Sequence, residues 1–223
     1  MAEVVVEVLG LVLGILGWCL ESSSTHSAVW KVRSQAESVV TSSSQFEGLW
    51  ISCASNAMGA IHCQKYKTIL GLPDYVLACR ALMIIALLFG LLSIFLSALG
   101  LKCTKLGSMT DLSKGRLTLT AGLLFILSGL CVMIAVSWYA ARIVQEFNDP
   151  FYLGTKFELG IGLYLGWAAA VLVILGGSML CGSFKRATAP KNTGSYNYNY
   201  SGQGQKIYKA APTAESGSSK AYV

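Results

Sequence analysis

Four long apolar runs alternate with polar segments along the 223-residue chain. A helix of about 20 apolar residues is long enough to cross the roughly 30 Å hydrocarbon core of a membrane. The pattern therefore predicts four membrane-spanning helices, over about residues 4–25, 77–101, 117–141 and 159–184. The polar loops over about 26–76 and 142–158 lie on the same side of the membrane, because successive spans reverse direction.

The first of these loops has the periodicity of strands. Trp30 and Val32 alternate with basic residues, which predicts a strand with one apolar face. Residues 39–44, 47–54 and 60–69 supply further strand candidates, and the last two are separated by a segment with Asn and Gly, which favour turns. The loop therefore predicts a small antiparallel sheet outside the membrane.

Composition and charge agree with this interpretation and orient it. The chain is 54% hydrophobic and 13% charged, and soluble domains carry about twice that share of charged residues. Ten of the 17 Lys and Arg residues lie in the short loop 102–116 or after residue 184. Because basic residues accumulate on the cytoplasmic side, we predict that both termini are cytoplasmic. This bias also accounts for the net charge of +6, so no nucleic-acid partner is predicted.

The predicted fold is a mainly α membrane protein, a four-transmembrane-helix bundle with a small extracellular antiparallel β-sheet. Residues 1–184 form the membrane domain. Residues 185–223 are rich in Gly, Ser, Asn and Tyr and have few aliphatic residues, which predicts a disordered cytoplasmic tail.

Two of the seven cysteines, Cys53 and Cys63, lie within the first outer loop. Two cysteines that flank a turn in an oxidising compartment predict a disulfide, which would contribute roughly 3 kcal/mol for a loop this short. A metal site is a poorer interpretation, because no cluster of carboxylates accompanies the pair. Cys103 and Cys181, at the cytoplasmic ends of spans, are candidates for palmitoylation or for unmodified thiols.

Catalytic chemistry has no candidate in this sequence. His26 and His62 are isolated, and no nucleophile and base occur together in a recognisable pattern. We therefore predict that the protein is not an enzyme and uses no cofactor.

Several motifs together resemble one protein family. Trp30, then Gly48-Leu49-Trp50, then Cys53 and Cys63 reproduce the claudin signature of the first outer loop, and Arg80 stands where claudins carry an arginine. The chain resembles the claudins of tight junctions, and is most similar to the channel-forming subgroup that includes claudins ten and fifteen. The resemblance implies a left-handed four-helix bundle with four strands from the first loop and one from the second. Myelin-protein-22-like proteins and the gamma subunits of calcium channels and glutamate receptors share the Trp-Cys-Cys pattern, so an auxiliary-subunit role is the alternative.

The resemblance also implies roles for individual residues. It implies location at tight junctions of the plasma membrane, side-by-side assembly with other claudins, and contacts with claudins of the opposing cell. In lateral assembly, Ile69 would contact Phe147 and Leu159 of the next subunit. Contacts with the opposing cell are predicted for Phe147, Asn148 and Phe157. The chain ends in Ala221, Tyr222 and Val223, a predicted ligand for PDZ scaffold proteins.

The charge selectivity of a paracellular pore depends on fixed charges on its wall. Cation-selective claudins carry carboxylates at positions that correspond to Asn56 and Gln64, which are uncharged here. The basic residues nearby are the further pore-lining candidates, namely Lys31, Arg33, Lys65 and Lys67. We therefore predict an anion-preferring channel with Lys65, and with it Lys67, near the constriction. A barrier without a pore and a cation channel are the alternatives.

Overall fold

The computed structural model describes residues 2–33, 44–56, 58–66, 71–100, 111–149, 151 and 156–188. Within them lie four helices, α1 (Ala2–His26), α2 (Asp74–Gly100), α3 (Asp111–Asn148) and α4 (Ile161–Thr188). Each helix contains a stretch that is long and apolar enough to cross a membrane. These four helices belong to one compact unit, Met1–Ala189, and the four predicted spans are confirmed.

The helices extend beyond the apolar runs that predicted them. The longest, α3, has 38 residues and continues past the predicted end at residue 141. Ile143 in this extension is only 2% exposed, because it packs with the core at the end of the bundle. Hydropathy therefore predicts the apolar span, whereas packing decides where the helix ends.

Glycines allow the helices to approach closely. α1 packs mainly on α4, and α3 packs on both α2 and α4. A Cβ on Gly10 would lie 3.1 Å from the Gly176 carbonyl oxygen, and one on Gly166 would lie 2.5 Å from the Val136 side chain. Larger residues at these positions would force the backbones apart, which is why small residues are found at such contacts.

Hydroxyl groups join α2 to α3. Ser128 Oγ donates to the Ala86 carbonyl at 2.8 Å, and Thr118 Oγ1 lies 3.2 Å from the Gly100 carbonyl. Ser93 Oγ donates to the carbonyl of Ala121 in the same way. Each of these three hydroxyl groups is thus satisfied inside the bundle, as the absence of water in a membrane requires.

A buried carboxyl group was not singled out by the sequence pattern. Glu21 near the end of α1 is fully buried, and its Oε2 lies 3.4 Å from Ser128 Oγ. At the other end of the same helix, Glu7 is 4% exposed and accepts a hydrogen bond from Ser183 Oγ at 2.9 Å. Glu21 contacts α3 and Glu7 contacts α4, because both residues lie on a face of α1 that is turned into the bundle.

A five-stranded antiparallel sheet lies beyond the ends of the helices where α1 finishes and α2 begins, which we call the sheet end of the bundle. Its strand order is β4-β3-β2-β1-β5. The strands are β1 (Lys31–Arg33), β2 (Gln45–Glu47), β3 (Ile51–Ser55), β4 (Ile61–Lys65) and β5 (Phe157–Leu159). The prediction of four strands from the first loop and one from the second is confirmed. The candidate strand 39–44 lies outside the described residues except for Ser44, which precedes β2.

The turn between β3 and β4 follows the sequence prediction. The Asn56 amide donates to the Ala60 carbonyl at 2.9 Å, and the Gly59 amide donates to the Asn56 carbonyl at 2.8 Å. Gly59 has a φ of 79°, in the left-handed region that glycine adopts without steric cost. This turn places β3 and β4 in antiparallel register.

Candidate functional surfaces of the sheet

Trp30 joins the sheet to the helices. Its side chain is fully buried, its ring meets Tyr139 edge to face at 5.0 Å between centroids, and its Nε1 donates to the Ser24 carbonyl at 2.8 Å. Its backbone amide donates to the Glu47 carbonyl at 2.9 Å. Trp30, the first signature residue, therefore contacts the helices and the sheet at the same time and anchors one to the other.

Arg80 contacts two other signature residues, Leu49 and Trp50. Its Nε donates to the Leu49 carbonyl at 2.8 Å, and its Cζ lies 4.8 Å from the centre of the Trp50 ring. The Tyr66 ring lies on it as well, with its centre 5.3 Å from Cζ. A guanidinium group stacked on aromatic rings is stabilised by their quadrupoles, so Arg80 holds the Gly-Leu-Trp segment against α2.

Tyr66 was not recognised from the sequence, because nothing in its local pattern marks it. Its hydroxyl donates to the Gly48 carbonyl at 3.4 Å. Burial, with a further contribution from the negative charge of Glu47, raises the pKa of Tyr66 to about 12, although the positive charge of Arg80 opposes this. The phenol therefore stays neutral at physiological pH and remains a hydrogen-bond donor.

The predicted disulfide between Cys53 and Cys63 is confirmed. The two residues lie directly opposite each other in the β3–β4 ladder, with their Cα atoms 4.1 Å apart. β4 is at the edge of the sheet and all five of its residues are exposed. The disulfide is thus the main side-chain connection between β4 and the rest of the sheet.

The register assigns side chains to the two faces of the sheet. Residues paired across strands share a face, and neighbours along a strand point to opposite faces. One face, which we call the cysteine face, carries Phe46, Cys53, Cys63 and Lys65. The other, which we call the Gln64 face, carries Lys31, Arg33, Glu47, Ser52 and Gln64.

This register separates two residues that the sequence analysis grouped as pore-lining candidates. Gln64 and Lys65 are both exposed but point to opposite faces of β4. Continuing the alternation past the end of β3 puts Asn56, also exposed, on the same side as Gln64. A pore lined by Asn56 and Gln64 is therefore not lined by Lys65. The alternation of a strand was the signal in the sequence that could have shown this.

Lys31, another pore-lining candidate, has a compensated charge. Its Nζ lies 2.9 Å from Glu47 Oε2, and its side chain is only 13% exposed. The same Nζ lies 4.5 Å from the centre of the Phe157 ring. Phe157 itself is 8% exposed, so little of this predicted contact residue reaches the surface. Arg33, two residues further along β1, is intermediate in exposure.

A groove of about 210 Å³ lies between the end of α3 and β5. It brings together the two residues predicted to receive Ile69, Phe147 and Leu159, with Asn148 beside them. Phe147 is 40% exposed, and Lys156 Nζ lies 5.6 Å from the centre of its ring. The groove is thus mostly apolar and open to a side chain from outside.

Other predicted site residues are not brought to these surfaces. The Cys181 thiol lies 3.9 Å from the Leu119 carbonyl, where it packs against α3. Six predicted positions lie outside the described residues, namely Lys67, Ile69, Cys103, Ala221, Tyr222 and Val223. Among the described residues, no group of three or more His, Cys, Asp or Glu side chains could hold a metal ion.

Four membrane-spanning helices that carry a disulfide-linked sheet, anchored by a buried tryptophan, define a class of tetraspan membrane proteins. A family model described as the PMP-22/EMP/MP20/Claudin family matches residues 4–180, and the chain belongs to this family. It is similar to Claudin-15 of Bos taurus, with 45% identity over 177 residues that cover 79% of this chain and 75% of the relative. It is 42% identical to Claudin-19 of Homo sapiens, over 81% of this chain and 82% of the relative. Claudin-1 of Rattus norvegicus is 39% identical, over 88% and 92% respectively.

Proposed function

We propose that this protein is a tight-junction strand protein that joins neighbouring cells and forms a paracellular pore with a preference for anions. Membership of the claudin-containing family supports the junctional role. The open apolar groove between α3 and β5 is the observation that supports lateral assembly.

The sheet end faces the outside of the cell in this proposal. A disulfide forms and persists in an oxidising environment, and the Cys53–Cys63 bond lies in the sheet. The opposite end of the bundle carries Lys114 and Arg116 at the start of α3, and basic residues accumulate on the cytoplasmic side. Both termini are then cytoplasmic, and the terminal Ala221-Tyr222-Val223 is available to a PDZ scaffold protein by strand addition.

Lateral assembly uses the groove. Phe147 and Leu159 present apolar surface at a site large enough for one aliphatic side chain, and Ile69 of a neighbouring copy is the proposed occupant. Burying apolar area that a single copy leaves exposed favours association. In this head-to-tail contact Ile69 of one copy meets the groove of the next, and repetition from copy to copy would produce a linear strand.

We expect Phe147→Ala to abolish continuous strands. Cells without claudins of their own would express the full chain, and freeze-fracture electron microscopy would measure strand length at the cell border. Phe151→Ala is the matched control, because it removes the same ring from a residue that is 88% exposed and outside the groove. Strands of equal length in both variants would show that the groove is not the lateral contact, and normal surface expression of Phe147→Ala would exclude misfolding.

The anion preference rests on the Gln64 face. Asn56 and Gln64 contribute no negative charge, and Glu47 is paired with Lys31. Among the described charged residues of this face, Arg33 is then the uncompensated one, so the wall carries a net positive charge. A fixed positive charge in a narrow pore raises the local concentration of anions.

We expect Gln64→Glu to convert the chloride preference to a sodium preference, because it adds a carboxylate to the pore wall. Sodium chloride dilution potentials across an epithelial monolayer stripped of its own claudins would measure the effect. Lys65→Glu is the matched control on the opposite face of the same strand, and we expect a smaller shift although it changes the charge by two. Reversal by Lys65→Glu alone would place the pore on the cysteine face. High resistance in all variants would mean a barrier without a pore.

A further inference from the structure

A second cavity, of about 530 Å³, lies where the sheet meets the helices. It lies between the end of α1, the side of α2 and the cysteine face of β3 and β4. Its lining consists of His26, Trp50, Ile51, Lys65, Tyr66 and Arg80. The cleft shares no described lining residue with the groove between α3 and β5, and Lys65 points away from the Gln64 face that lines the proposed pore.

The lining of the cleft is basic and aromatic. Lys65 and Arg80 supply two positive charges, and no acidic residue is among the lining residues that the structure describes. Glu47, whose negative charge contributes to the raised pKa of Tyr66, is already paired with Lys31 at 2.9 Å. His26 adds a ring that is held in place, because its Nδ1 lies 2.9 Å from the Ser22 carbonyl. The cleft therefore attracts an anion.

Arg80 also has hydrogen-bonding capacity that the protein does not use. Its Nε donates to Leu49, but its Nη2 is buried and has no acceptor among the described residues. A buried donor without an acceptor is unfavourable, and a guanidinium group matches the oxygens of phosphates and carboxylates. An oxyanion in the cleft would supply this acceptor once the side chains that cover Nη2 move aside.

The depth of Arg80 indicates which oxyanion is abundant there. The segment from Ala81 to Gly100 is apolar and, at the rise of an α-helix, extends about 30 Å, which is the thickness of the hydrocarbon core. Arg80 then lies just outside the hydrocarbon, at the level of the phospholipid phosphates of the leaflet at the sheet end. Ile84, one turn further into the span on the same side of α2, is 44% exposed and provides apolar surface for the start of an acyl chain.

We propose that this cleft binds the phosphate group of a phospholipid headgroup, through Arg80 and Lys65. The aromatic rings of Trp50 and Tyr66 position the guanidinium group for this contact. The site would tie the sheet to the membrane surface, and it does not depend on the proposed pore. Inorganic phosphate carries the same chemical group without acyl chains, so the test must separate these two sources.

Native mass spectrometry of the full chain, released from detergent micelles, tests the proposal. Four probes would be titrated: phosphatidylglycerol, phosphatidylcholine, diacylglycerol and inorganic phosphate. We expect the two phospholipids to bind and diacylglycerol not to bind. Lys65→Gln should lower phospholipid affinity roughly tenfold, the effect of losing one hydrogen bond to a charged group.

Arg142→Gln is the matched control. It removes the same charge at the sheet end, but Arg142 lies over the Tyr75 ring, 5.9 Å from its centre, and does not line the cleft. Because Lys65 is exposed, unchanged thermal unfolding of Lys65→Gln would show that the fold is intact. Equal phospholipid binding by both variants, or equal binding of diacylglycerol, would overturn the proposal. Inorganic phosphate that binds as tightly as phosphatidylglycerol would reject the lipid as the source of the phosphate.

Discussion

We expect Trp30→Ala to lower the free energy of unfolding by about 3–5 kcal/mol, the range for removing a fully buried large aromatic side chain. Trp30 is 0% exposed and packs on Tyr139, so its loss opens a cavity between the sheet and the bundle. Gly162, whose Cβ would lie 2.8 Å from the Trp30 ring, shows how closely the helices fit around it. The change in stability would be measured as the melting temperature in detergent, with the loss of the folded peak in size-exclusion chromatography as the readout.

Two further variants separate the causes. Trp30→Phe keeps most of the apolar contact but loses the hydrogen bond from Nε1 to the Ser24 carbonyl, which should cost about 1 kcal/mol in addition to the packing change. Trp138→Ala removes the same side chain from a residue that is 44% exposed, and it should change stability little. A melting temperature for Trp30→Ala equal to that of Trp138→Ala would show that Trp30 is not the anchor.

The second large effect is expected from removing the disulfide. Replacing Cys53 and Cys63 together by Ser should lower the free energy of unfolding of the sheet by about 2–5 kcal/mol. β4 pairs only with β3 among the described strands, and none of its side chains is buried, so hydrogen bonds alone would then hold it. We expect β4 to separate from the sheet and become sensitive to proteases while the four helices persist.

Limited proteolysis followed by mass spectrometry would locate the cleavage. Cys19→Ser is the control, because Cys19 is a free and exposed cysteine away from the sheet. Reductant should make the native protein as sensitive as the double variant and should leave the double variant unchanged. If the double variant resists proteases as well as the native protein does, the backbone ladder by itself keeps β4 in place.

The sequence by itself determined the four helices, the sheet and the disulfide. Transfer of apolar residues into lipid depends on the run of residues along the chain, so the hydrophobic pattern was sufficient to find the spans. The turn at Gly59 and the cysteines on either side of it are equally local, and they predicted the β3–β4 pairing. The signature tryptophan and Arg80 marked the family, but not what either residue contacts.

The tertiary structure decided which side chains meet. Glu21 is buried on Ser128, Lys31 is paired with Glu47, and Arg80 lies on Trp50 and Tyr66. The first contact forms inside the helix bundle, the second when β1 pairs with β2, and the third only when the sheet packs on α2. The groove and the cleft are likewise spaces between helices and strands. Their shapes depend on how these elements pack, so no single stretch of the sequence predicts them. Charge and hydropathy along the sequence therefore identified the parts, whereas their packing determined which charges remain available for function.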